Sequence, residues 1–185
     1  KYPARCTRIA NMRLLRKTAT LLMASSVQAS TAPPLYDVVV YGASGFTGRL
    51  AVEYLTDRYA TSGLKWAIAG RSRERLDAVL QETKAAVPII VADATDAASV
   101  DAMVAQTKVL LNYAGSPYIT KALPVVEACA RHGTHYVDVT GEVALHRASL
   151  SKYDAKAKET GSLIVHSCGY DSIPSDLGYL LASDA

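Results

Sequence analysis

Three evenly spaced glycines, Gly42, Gly45 and Gly48, stand between a run of apolar β-formers, Tyr36 to Tyr41, and an amphipathic stretch from Thr47 to Tyr59. A strand that ends on a glycine can turn sharply, because a residue without Cβ reaches backbone conformations closed to others. A second glycine at the start of a helix leaves main-chain N–H groups open to a close neighbour, and a third lets the helix pack tightly. The first turn of a helix carries unpaired N–H donors and the positive end of its dipole, so an anion is the natural guest. The trio at this strand–helix junction therefore reads as a dinucleotide pyrophosphate loop, with Ser44, Phe46 and Thr47 beside the glycines and the two hydroxyls as added donors.

The rest of the chain repeats that alternation. Apolar runs read DVVVYG, KWAIAG, PIIVAD, KVLLNYAG, HYVDVTG and SLIVHSCG. Helical spacing fills the gaps at Thr47–Tyr59, Arg73–Lys84, Ala97–Gln106, Ile119–His132 and Glu142–Lys158, the last as one helix or two. Continuous apolar runs suit strands buried on both faces. Their alternation with helices predicts an α/β, Rossmann-like, doubly wound parallel sheet of about six strands. Such a sheet gathers ligand chemistry at the carboxyl ends of its strands.

The residues just past each run are thus the candidates. After KWAIAG stand Gly70-Arg71-Ser72-Arg73, where a site preferring the unphosphorylated cofactor carries an acid for the ribose hydroxyl. Arg71 offers a guanidinium fork to a 2′-phosphate and Ser72 a hydroxyl. This predicts NADP(H) over NAD(H), with NAD(H) left open, and assigns Arg73 and Arg75 to a solvated helix face. Asp93 falls beside the adenine edge, or else caps the next helix as Asp96 does. Asn112 and Gly115 end the fourth run beside the nicotinamide ribose, and Tyr118 follows as a catalytic candidate. Asp138, Glu142, Asp171 and Asp176 are rim carboxylates, with Asp171 the second catalytic candidate and Asp176 a candidate helix cap. Cys168 reads as an inert thiol. His132, His135, His146 and His166 lack metal-ligand spacing, so no metal is expected.

Charge narrows the partners. Of the 20 basic residues, 6 precede Asp37 with no acid among them, leaving 14 basic against 17 acidic residues in the remainder. A mildly acidic globular part gives no footprint for nucleic acid. Three distant cysteines, Cys6, Cys129 and Cys168, argue for a reducing, intracellular setting. No apolar run reaches the roughly 18 residues of a membrane span. Residues 1–35 form a leader rich in Arg, Ser, Thr and Ala. Three readings of it stay open: a disordered tail or misassigned start, a mitochondrial transit peptide, and a secretory signal beginning at Met12.

Read in series, VVVYGASGFTG, AGRSRERL, VADATD, PVVEACARHGTHYVDVTGE and CGYDSIPSDLG make a specific set. From about Tyr36 to Gly178 the chain resembles the N-terminal half of saccharopine dehydrogenase-like oxidoreductases, a group that includes the mycobacterial trans-acting enoyl reductases. Two details depart from the family pattern. Gly115-Ser116-Pro117-Tyr118 is one residue longer than the usual G-P-Y, and Tyr170 replaces the phenylalanine of C-G-F-D.

The resemblance implies a Rossmann domain over 36–178, then a larger substrate and dimerisation region of which 179–185 is only the start. It implies NAD(P)-linked reduction, with some members on lipid droplets or membranes and bacterial relatives in glycolipid synthesis. The expectation is the nucleotide-binding half of an NADP(H)-dependent oxidoreductase acting on a hydrophobic, lipid-like small molecule, inactive alone, with homodimers and association with a membrane or lipid droplet through the missing half. Two alternatives are a dinucleotide-binding module without turnover and a true amino-acid dehydrogenase.

Overall fold

The computed structural model describes residues 33–183. Most of the leader, Cys6 and the last two residues lie outside the described residues. Six strands form one parallel sheet in the order β3-β2-β1-β4-β5-β6, the order of a doubly wound nucleotide-binding fold. The elements are β1 (Tyr36–Tyr41), α1 (Phe46–Tyr59), β2 (Trp66–Gly70), α2 (Arg73–Thr83), β3 (Ile89–Val91), α3 (Ala97–Val104), β4 (Thr107–Asn112), α4 (Tyr118–Lys121), α5 (Leu123–His132), β5 (His135–Asp138), α6 (Val143–Thr160), β6 (Ile164–Val165) and α7 (Ile173–Ser183).

The pleat sorts each strand onto two cores. Val39 and Tyr41 of β1 and Ala67 and Ala69 of β2 pack with Met103, Val104, Val125 and Val126 of α3 and α5. Val40 and Ile68 face the other way, onto Val52 of α1 and Leu76 and Val79 of α2. Successive side chains on a strand point to opposite faces. That is why the apolar runs are continuous rather than alternating.

The structure refines the expected elements as follows. The helix expected over Ile119–His132 is broken at Ala122 into α4 and α5, with Pro124 in the first turn of α5. Proline has no N–H to donate to Thr120, so the two helices cannot fuse. The stretch Glu142–Lys158 is a single helix, α6, which Gly161 closes at φ 80°. The run SLIVHSCG contributes only two residues, β6, to the edge of the sheet. Asp176 lies inside the first turn of α7 and does not cap it. α7 itself runs unbroken across the expected boundary at 178, has no buried residue, and exposes Leu177, Leu180 and Leu181.

Candidate cofactor crevice

Between β1 and β4, where the strand order reverses, a crevice of about 280 Å³ opens over the carboxyl edge of the sheet. Gly42 turns off β1 at φ +81°, and a Cβ there would run into the backbone of Tyr113 and Ala114. Gly48 is constrained as firmly: its Cβ would strike the carbonyl oxygen of Gly42 and sit 2.8 Å from the Cα of Ala43. The third glycine thus packs against the loop's own first residue rather than against the sheet. Gly45 differs from both. Its φ is −80°, and the nearest atom to an added Cβ is 3.4 Å away. The protein does not require a glycine there, whereas an approaching diphosphate would.

The loop is held by the protein's own backbone hydrogen bonds. The amides of Gly42 and Ala43 donate to the Ala69 carbonyl at 2.9 and 3.2 Å, and the Gly45 amide donates to the Gly42 carbonyl at 3.0 Å. The first helical bond of α1 runs from Arg49 to Gly45, and no side chain caps the helix. The N–H groups of Phe46, Thr47 and Gly48 are the unpaired donors of the first turn.

Of the cofactor candidates, Gly42, Ser44, Gly45, Arg71, Asp93 and Gly115 line the crevice, whereas Phe46, Thr47, Gly48, Ser72 and Asn112 do not. The Phe46 side chain is exposed to solvent. The Ser72 hydroxyl accepts from the Arg75 amide and donates to Glu74 at 2.8 Å, so it caps α2. Asn112 is fully buried, accepting from the Ala114 amide and donating to the Tyr136 hydroxyl. It braces the crevice wall. Asp93 accepts from the amide and hydroxyl of Thr95, and those bonds, with the Arg71 charge, hold its carboxyl below the ordinary value. Asp96 caps α3 as expected, through the Ala98 amide.

Two crevice cations were not singled out in the sequence. Arg75, expected on a solvated helix face, lines the crevice with Arg71, and Lys121 enters from the opposite wall. None of the three has an ion-pair partner among the described residues. Arg75 lies in the first turn of α2, which carries it back over the end of β2. Residue spacing hinted at this, but helix-face arginines are too common for the hint to decide.

Neither catalytic candidate, Tyr118 or Asp171, lines the crevice. The ring of Tyr118 lies against Gly115, where an added Cβ would collide with it. Burial, with the charges of Asp138, Tyr113 and Glu142, pushes its phenol up to about 12. Asp171 is exposed, near Gly141. The other carboxylates are committed to structure. Glu142 accepts from the amides of Tyr118 and Ile119 at 2.7 and 2.9 Å and so holds the start of α4. Asp138 is wholly buried and accepts from the Tyr136 hydroxyl, the Thr140 amide and the Ser167 amide, with His166 Nδ1 at 2.7 Å. His146 stacks on His166 with ring centroids 5.0 Å apart. Sequence reading missed this cluster, because its members come from β5, α6 and the loop after β6.

Among the described residues no group of His, Cys, Asp or Glu could hold a metal ion. The uncapped helix start, the unneeded glycine and three unpaired cations fit a phosphorylated dinucleotide.

Comparison with known proteins agrees. The family model of the saccharopine dehydrogenase NADP-binding domain matches residues 38–165. A trans-acting enoyl reductase of Mycobacterium tuberculosis (strain ATCC 25618 / H37Rv) is 45% identical over 145 residues, which are 77% of this chain and 34% of that protein. A lipid droplet localized protein of Caenorhabditis elegans is 45% identical over 150 residues, 77% of this chain and 35% of that one. The chain therefore spans about a third of the length of the curated relatives it matches. In fold it is similar to the apo saccharopine dehydrogenase (L-Glu forming) of Saccharomyces cerevisiae, with a TM-score of 0.59 at 23% identity over 74% of this chain and 28% of that one. This chain belongs to the saccharopine dehydrogenase NADP-binding domain family, and its cofactor is NADP(H).

Proposed function

We propose that the chain is the dinucleotide-holding part of a reductase acting on a lipid or other hydrophobic precursor. The crevice carries this reading: a braced glycine loop at an uncapped helix start, with Arg71 and Arg75 grouped on the wall formed by β2 and α2. The names of the similar proteins, an enoyl reductase and a lipid droplet protein, point to the substrate class and to a lipid surface as the location.

Bound NADPH supplies a hydride to an electron-poor carbon of the substrate. The chain's own residues bind and orient. The glycine loop from Gly42 to Gly45, at the start of α1, receives the diphosphate, Arg71 and Arg75 the 2′-phosphate, and Gly115 allows close approach at the β4 end. Tyr118, whose ring lies against Gly115 and whose phenol burial pushes up, is a candidate hydrogen-bond or proton donor. Asp171, exposed near Gly141, is the other candidate. The dinucleotide-binding domain begins at 36, α7 leads out of it across 178, and a further region of the longer protein supplies the substrate pocket and any dimer contact.

Titration of the chain with NADPH by calorimetry, then with an α,β-unsaturated acyl thioester while NADPH absorbance is followed, tests the reading. NADPH binds the chain alone, and oxidation requires the longer protein. A second reading, a dinucleotide-binding module without turnover at a lipid surface, is favoured by the name of the C. elegans relative. It predicts binding with no oxidation by either form. Oxidation with saccharopine-type imines in place of enoyl thioesters would instead mark an amino-acid dehydrogenase.

A further inference from the structure

The positive charge of the crevice is split between two walls. Arg71 and Arg75 stand on the wall of β2 and α2, and Lys121 on the wall of β4 and α4, with the glycine loop between them. An NADP(H) molecule has a matching division: a 2′-phosphate at one point and a diphosphate bridge further along. Lys121 ends α4, and its ammonium donates to the Ser116 carbonyl at 3.1 Å without meeting a carboxylate among the described residues. The short helix that carries it is held by both oxygens of Glu142.

The geometry points to Lys121 as a clamp on the cofactor's diphosphate, closing on it across the crevice from the glycine loop. This rests on the reading of the crevice as the dinucleotide site. Lys121 neutralises charge that every pyridine dinucleotide carries, whereas Arg71 and Arg75 meet charge found only on the 2′-phosphorylated form. Glu142 is then a positioning residue, fixing the helix that aims the lysine.

Calorimetric titration of the full chain with NADPH, NADH and adenosine 2′-monophosphate tests this, in wild type and in Lys121→Ala, Lys121→Arg and Arg75→Ala. Lys121→Ala weakens NADPH and NADH alike, by roughly 5- to 20-fold, the range of a partly exposed charge-assisted hydrogen bond. It leaves adenosine 2′-monophosphate unchanged, and Lys121→Arg restores most of the loss. Arg75→Ala shows the reverse pattern, affecting NADPH and the monophosphate but not NADH. Equal loss of the monophosphate in Lys121→Ala would move the lysine to the 2′-phosphate and overturn the assignment. No loss with any ligand would make it a surface residue and overturn it as well. Failure of wild type to bind any of the three would refute the dinucleotide reading itself. Thermal melting of each variant confirms that it folds.

Discussion

Nδ1 of His166 lies 2.7 Å from Oδ2 of Asp138, joining the loop after β6 to the last residue of β5. The same carboxylate accepts from Ser167, a non-glycine residue held at φ +61°. One buried group thus pins a loop whose backbone would otherwise relax away from the left-handed region.

Loss of that carboxylate should be costly. Asp138→Ala leaves His166 and two backbone amides without their partner in a buried site. The expected destabilisation is about 3 kcal/mol, the order seen when one member of a buried pair is removed. Urea denaturation checks it. A change below 0.5 kcal/mol, the ordinary surface-substitution level, would mean that the cluster does not brace the fold.

The same group shapes acid stability. Burial raises the Asp138 carboxyl, but His166 and the amides of Ser167 and Thr140 outweigh it, so the net shift is downward. The unfolded chain therefore takes up this proton at a higher pH than the folded one. The contribution to stability is complete above the ordinary carboxylate range. It falls away once pH drops below about 4 and continues to do so until the lowered folded value is passed. Melting curves between pH 7 and pH 3 should show a loss that is smaller in Asp138→Asn. Parallel curves for the two proteins would contradict it.

The glycines should separate into two classes. Gly48→Ala forces a methyl against the Gly42 carbonyl and should lower stability by about 1–3 kcal/mol, as overpacking does. Gly45→Ala has room within the protein and should melt within a few degrees of wild type, yet bind NADPH at least about 10-fold less tightly. Melting and calorimetry on both variants decide. Normal NADPH affinity in Gly45→Ala would remove the diphosphate from this loop.

Arg71→Ala should weaken NADPH by about 1–3 kcal/mol, the order of a charge-assisted hydrogen bond, with little change for NADH. Equal losses for the two cofactors would place Arg71 away from the 2′-phosphate.

The layers, the parallel sheet and the loop were legible because each depends on local pattern. Continuous apolar runs marked the strands, and Gly42, Gly133 and Gly161 all take the left-handed backbone that closes a turn or a helix. Three kinds of feature were not legible. The break at Ala122 needed the proline's missing donor to be set against a strong helical period. Ser72 and Glu142, expected near ligand, were claimed by the helix starts of α2 and α4, which offer carboxylates and hydroxyls equally good partners. The cluster of Asn112, Tyr136, Asp138 and His166 gathers residues up to 54 positions apart in numbering, and no spacing rule finds it.

The Gly42 carbonyl has one more consequence. It takes the Gly45 amide and forms the floor beneath Gly48, so the cradle's shape is held by the protein's own backbone. A dinucleotide arriving there has no segment to organise on its own account, and little conformational entropy is lost at the phosphates. Its residence time is governed by how well charge is matched along the two walls, which makes release sensitive to ionic strength rather than to loop motion.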